Sequence, residues 1–97
     1  MVIGIIHLDL AIEHAMSLKD KRAVLNRIKD RVRQKFNVSI AEVADQDIWN
    51  VASLGVVMVS NNQKYCNEVL DQVLNHVRKI GNCEIQDWEF EYIVADD

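Results

Sequence analysis

The 97-residue chain has no proline, two cysteines and two each of Phe, Trp and Tyr, and each shortage removes a class of protein. Without proline or any low-complexity tract, nothing marks an interdomain linker, so a single domain over residues 1–97 is expected. Cys66 and Cys83 are too few and too far apart for a zinc knuckle, which needs paired C-x-x-C spacing. They read as reduced core thiols, because an intracellular setting argues against a disulfide. No apolar run is long enough to span a bilayer. The opening "MVIGIIHLDLAI" is interrupted by His7 and Asp9 and lacks the basic leader and small-residue cleavage site of a signal peptide. A soluble, cytoplasmic protein with no membrane partner is expected.

Positive charge is plentiful, but in one place. The formal net charge is −4, yet eight of the eleven Lys and Arg residues lie between Lys19 and Lys35, beside only Asp20 and Asp30. That segment therefore carries +6 and the remainder −10. A basic strip on an acidic body suits nucleic-acid binding by one face.

Apolar residues at Val2, Ile6, Leu8, Leu10 and Ile12, with His7 and Asp9 on the opposite parity, have the period of a strand. A helix should follow from Ser17, whose S-x-x-D capping box is completed by Asp20, with Leu18, Leu25, Ile28, Val32 and Phe36 as its apolar stripe. Two β-branched strands, about 38–43 and 51–60, should form a hairpin through an acidic turn at Asp45, Gln46 and Asp47. A second helix should begin at Asn61 or Asn62, bury Cys66, Val69, Leu70, Val73, Val77 and Ile80, and stop at Gly81. "EIQDWEFEYIV" then alternates Trp88, Phe90 and Tyr92 against Asp87, Glu89 and Glu91. The order β-α-β-β-α-β is that of an α+β, ferredoxin-like fold, a four-stranded antiparallel sheet with two helices on one face. Its open sheet face would carry Ile3, Ile5, His7, Asp9, Val57, Val59, Asp87, Glu89 and Glu91.

The blocks SLKDKR, FNVSIAEV, DQDIW and LGVVMVS, in that order, resemble the signature region of the YlxP-like family of small bacterial domains of unknown function. The resemblance runs over essentially the whole chain and implies a ferredoxin-like fold with no established activity. Members are commonly encoded beside genes for translation initiation and ribosome maturation factors, which implies the small ribosomal subunit as a partner.

Lys19, Lys21 and Arg22 sit at the start of the first helix, where the macrodipole disfavours cations. A bound anion would reverse that penalty, and the free N–H groups of the helix start would join in holding it. Arg22, Asn26, Lys29 and Arg33, spaced i, i+4, i+7 and i+11, extend these residues into a strip able to follow a phosphate backbone. Structured RNA, bound with little base specificity and no DNA specificity, is the expected partner; the plain alternative is a solvated helix face. Base stacking on the sheet is disfavoured, because "LGVVMVS" has no aromatic residue and the last strand is acidic.

Catalysis is not expected. The loop "EHAMS" lacks the arginine that an acylphosphatase places after its first strand. Ser17 reads as a cap, since no histidine base is placed beside it by any recognisable pattern, and His76 as a partner of the second helix's C-terminal dipole. His7 and Asp9 with His14 or Glu91 are too few for a metal site, so neither metal nor cofactor is expected. The rival reading is a protein-interaction module, with Ile5, His7, Asp9 and Val57 of the open face as the contact and a homodimer as its form. Trp49, beside Glu42, Asp45 and Asp47, could anchor such a contact or fold back on the core, the simpler of the two.

Overall fold

Strict alternation in β1 (Val2–Ile12) decides the layering of the molecule. Its even-numbered residues from Val2 to Ile12 are buried, while His7 and Asp9 on the other parity are exposed. The structure is a computed structural model and describes residues 1–96. After β1 come α1 (Leu18–Lys35), β2 (Ser39–Ala44), β3 (Val51–Ser60), α2 (Gln63–Arg78) and β4 (Cys83–Val94). The strands form one antiparallel sheet in the order β2-β3-β1-β4, with both helices on the face of the buried β1 residues. This is the expected βαββαβ architecture. The long central pairing draws the molecule out to 46 × 22 × 19 Å.

Both helices start where the caps specify. The Ser17 hydroxyl accepts from the Asp20 N–H at 3.2 Å, while the Asp20 carboxylate accepts from the Met16 N–H at 2.9 Å. The capping box thus closes on the residue before the cap. Asn62 caps α2 by accepting from the Tyr65 N–H at 3.0 Å. The expected stop at Gly81 is corrected: α2 ends at Arg78, and the left-handed residue of the following turn is Asn82, with φ of 68°. Asparagine tolerates that conformation better than most side chains.

The sheet departs from simple alternation at two bulges. Asp9 pairs with Asp87 but Leu10 with Ile85, so Gln86 is an extra residue in β4. Above it Trp88, Phe90 and Tyr92 share the helix side; below it Ile85 and Cys83 take over. In β2 the register shifts between Glu42 and Ala44, leaving Glu42 opposite Leu54 on the helix side and Val43 against Gly55 on the open face. β2 runs one residue later than expected, Ser39–Ala44.

The core is bounded by close approach of α2 to β1. A Cβ added at Gly4 would lie 2.2 Å from Cys66 Sγ and 2.8 Å from Leu70 Cδ1, both buried on α2. Gly4→Ala should therefore push α2 off the sheet at a cost of about 1–3 kcal/mol, read as a fall in the denaturation midpoint. An unchanged midpoint would show that α2 yields freely at this point.

Candidate functional site

Lys21 is the most consequential side chain of the basic segment, and it faces inward. It lies seven residues before Ile28 and four before Leu25, in phase with the apolar stripe, and is only 1% exposed. Its ammonium donates to the carbonyls of Asp45 and Ile48, each at 2.7 Å, and pairs with Glu42 Oε2 at 2.9 Å. Two of the ammonium's donors are thus hydrogen-bonded, and the carboxylate matches its charge. The expectation that Lys21 holds phosphate is therefore corrected: its charge is already matched within the fold. Glu42 likewise belongs to β2 and this buried pair, not to the acidic turn.

The remaining cations of α1 divide by flank. At about 100° per residue, Lys19, Arg22, Asn26, Lys29 and Arg33 fall on one flank, and the Arg33 guanidinium donates to the Ile40 carbonyl of β2 at 2.9 Å. Arg33 is thus tied to the sheet edge by one hydrogen bond while its side chain stays exposed. Lys19, Arg22 and Asn26 are exposed and Lys29 half-buried. On the opposite flank Arg27 donates to the Gly81 carbonyl at 2.7 Å, while Arg31 and Lys35 lie beside His76 of α2. Burial first, then the charges of Lys35, Arg31 and Lys79, hold the His76 imidazole below its usual range, with the backbone of Arg31 acting in the opposite direction. Arg27 and Arg31 lie further round the helix than the expected strip, and their setting beside α2 emerges only when Phe36, His76 and α1 are brought together.

The open sheet face matches the expectation residue by residue. Ile3 and Ile5 of β1 pair with Val59 and Val57 of β3, and His7, Asp9, Asp87, Glu89 and Glu91 lie along the β1–β4 seam. His7 Nε2 stands 3.5 Å from Glu91 Oε1, an ion pair when the imidazole is protonated. Among the described residues, no three His, Cys, Asp or Glu side chains converge as a metal site. The Trp49 expectation is corrected: the ring is 45% exposed and does not fold back on the core. Lys21 holds the Asp45 and Ile48 carbonyls, which leaves Ile48 and Trp49 displayed outward at that tip. Both thiols are free, and burial raises each above the ordinary range, so neither is an activated nucleophile.

No helix among the described residues is long and apolar enough to cross a membrane. The element order and sheet topology define a ferredoxin-like α+β domain. Two de novo designed proteins have similar structures: Foldit4 (TM-score 0.54, 11% identity, 99% of this chain and 100% of that one covered) and LFR1 1, described as having a ferredoxin fold (TM-score 0.53, 11% identity, 100% and 88%). At this identity they show the fold alone. A family model described as "Protein of unknown function (DUF503)" matches residues 3–90, and the chain belongs to that family. It is 45% identical over 83 residues to the uncharacterized protein YlxP of Bacillus subtilis (strain 168), covering 86% of this chain and 90% of the relative.

Lys21→Ala should cost about 3–5 kcal/mol, the usual penalty for leaving the partner of a buried ion pair uncompensated. The double change Lys21→Met, Glu42→Leu removes both charges and should recover most of that loss in chemical denaturation. Equal instability of the single and double variants would refute the pairing as the source.

Proposed function

We propose that the protein is a non-enzymatic accessory domain that binds structured RNA through the outer flank of α1, with RNA of the small ribosomal subunit as the target. The observation that carries this reading is the flank of Lys19, Arg22, Asn26 and Lys29, bordered by the single acid Asp30, whose cations have no internal partners among the described residues. Lys19 to Lys29 covers roughly 15 Å of helix at 1.5 Å per residue, enough to meet two or three successive phosphates. Lys19 and Arg22 also stand beside the α1 N-terminus, whose partial positive charge adds to the attraction for an anion. The acids of the open face direct the phosphate backbone to the helix layer by repulsion.

A second reading rests on the open face itself. Val57 and Val59 are 36% and 64% exposed beside half-buried Ile3 and Ile5, an uncovered apolar strip flanked by the β4 acids. A homodimer seated on that strip, with the acids at its rim, is the form this reading takes. Val57→Asp would then convert a sedimenting dimer into a monomer.

Binding of purified small ribosomal subunits at two salt concentrations tests the first reading. The variant Lys19→Glu, Arg22→Glu, Lys29→Glu spares Arg33 because of its structural bond to β2. Native binding should weaken with salt at a log–log slope of about 2–3, set by the few phosphates neutralised. The variant, folded by circular dichroism, should bind at least about tenfold more weakly. Equal binding by native protein and variant would overturn the reading.

A further inference from the structure

Two cavities adjoin on the helix layer, away from the outer flank of α1. The first, of about 230 Å³, is lined by Lys35, Phe36, Gln72, Asn75, His76 and Lys79. It contains no acid. Asn75 Oδ1 accepts from Arg78 at 3.0 Å, leaving the amide N–H groups of Asn75 to donate elsewhere. His76 is half-buried in a cationic setting, with its Nε2 shielded from solvent. The Phe36 ring meets His76 edge-on at 5.7 Å, and the Lys35 ammonium lies 5.7 Å from the centre of the same ring. Phe36 thereby fixes both groups. The second cavity, of about 340 Å³, shares Lys35, Phe36 and Gln72 with the first and adds Asn37, Met58, Val59, Tyr65 and Val69. Its lining mixes apolar Met58, Val59 and Val69 with polar Lys35, Asn37 and Gln72, and Tyr65 is 58% exposed.

A cationic, acid-free cavity beside one that joins Met58 and Val69 to an exposed aromatic ring is complementary to an anion joined to a flat, stackable group. We propose that these cavities bind one nucleoside phosphate, either free or as a residue of an RNA strand, with its phosphate on Lys35, His76 and Lys79 and its base on Tyr65. In the strand form this deepens the reading above and rests on it: the backbone held by the outer flank of α1 would deliver one unpaired nucleotide to the cleft. Phosphate oxygens suit the lysine ammoniums and the Asn75 amide as donors, and aromatic stacking accepts any base. His76 reports occupancy. The charged groups around it are Arg31 and Lys35 from α1 and Lys79 from α2, all cations, and burial first and then these charges disfavour a proton on the ring. A bound phosphate reverses that field, and the proton it draws onto His76 strengthens binding as pH falls.

The test is nuclear magnetic resonance of the His76 ring in the full chain, titrated with inorganic phosphate, adenosine monophosphate and a short single-stranded oligoribonucleotide. Adenosine monophosphate should raise the His76 pKa and bind at least tenfold more tightly than inorganic phosphate. Tyr65→Ala should remove that advantage, and Lys35→Ala, Lys79→Ala should abolish binding of both. Tighter binding of the oligonucleotide than of the monophosphate marks the strand as the source, and equal binding marks the free nucleotide. No response of His76 to either nucleotide, or an affinity indifferent to Tyr65→Ala, overturns the proposal. The two readings fail separately. RNA binding that survives Lys35→Ala, Lys79→Ala removes the cleft alone. Monophosphate binding by a protein that ignores RNA removes the RNA reading and leaves the cleft.

Discussion

A buried ammonium organises one end of this molecule. Lys21 stands where a hydrophobic residue would complete the α1 stripe, and its three acceptors come from β2 and from the loop behind it. Desolvating a charge costs several kcal/mol, which only close, complete pairing offsets. The pairing therefore imposes a geometry on everything it touches: α1 must sit at one height over β2, Glu42 must face the helices, and the loop must turn its carbonyls inward. Asp45 takes a left-handed φ of 61° in that same loop, a conformation open to few side chains other than glycine. At this end β1 also joins the β2–β3 loop through the Ile12 N–H to the Asn50 carbonyl, and the β1–α1 loop joins the α2–β4 turn through the Glu13 N–H to the Asn82 carbonyl.

Charge is segregated between the two faces of the sheet. The helix layer holds the concentration of cations, and the open face holds Asp9, Asp87, Glu89 and Glu91. Several of those cations serve the fold: Lys21 and Arg33 fasten α1 to β2, and Arg27 fastens it to the turn after α2. Those that remain lie along both flanks of α1, one looking outward over β2 and the other into the cleft beside α2. A surface of this kind attracts polyanions from one side and repels them from the other, which orients an encounter before any contact forms.

The fold was legible because β1, α1 and α2 each follow one period from end to end, and because Ser17 and Asn62 are unambiguous caps. Where the period breaks, reading from sequence alone faltered. In β4 the three-residue step from Ile85 to Trp88 was the trace of the bulge at Gln86, and strict alternation conceals such a step. Gly81 looked like the end of α2, yet Asn82 takes the left-handed turn. The role of Lys21 was encoded in its phase with Leu25 and Ile28, but a lysine in a basic run is naturally counted with its neighbours. Only the fold pairs it with Glu42, which is inward by the same parity as Ile40. The cleft beside His76 left no comparable mark, because its lining comes from two helices distant in sequence.

β4 runs twelve residues along one border of the sheet, pairing with β1 on one side only. A border of that length exposes a row of unpaired N–H and C=O groups, a template onto which any extended chain could add. Glu84, Asp87, Glu89 and Glu91 stud this border on the open face, and a second border of the same kind approaching it would bring carboxylates against carboxylates. The acidity of this border is thus a safeguard against edge-to-edge addition of a second copy.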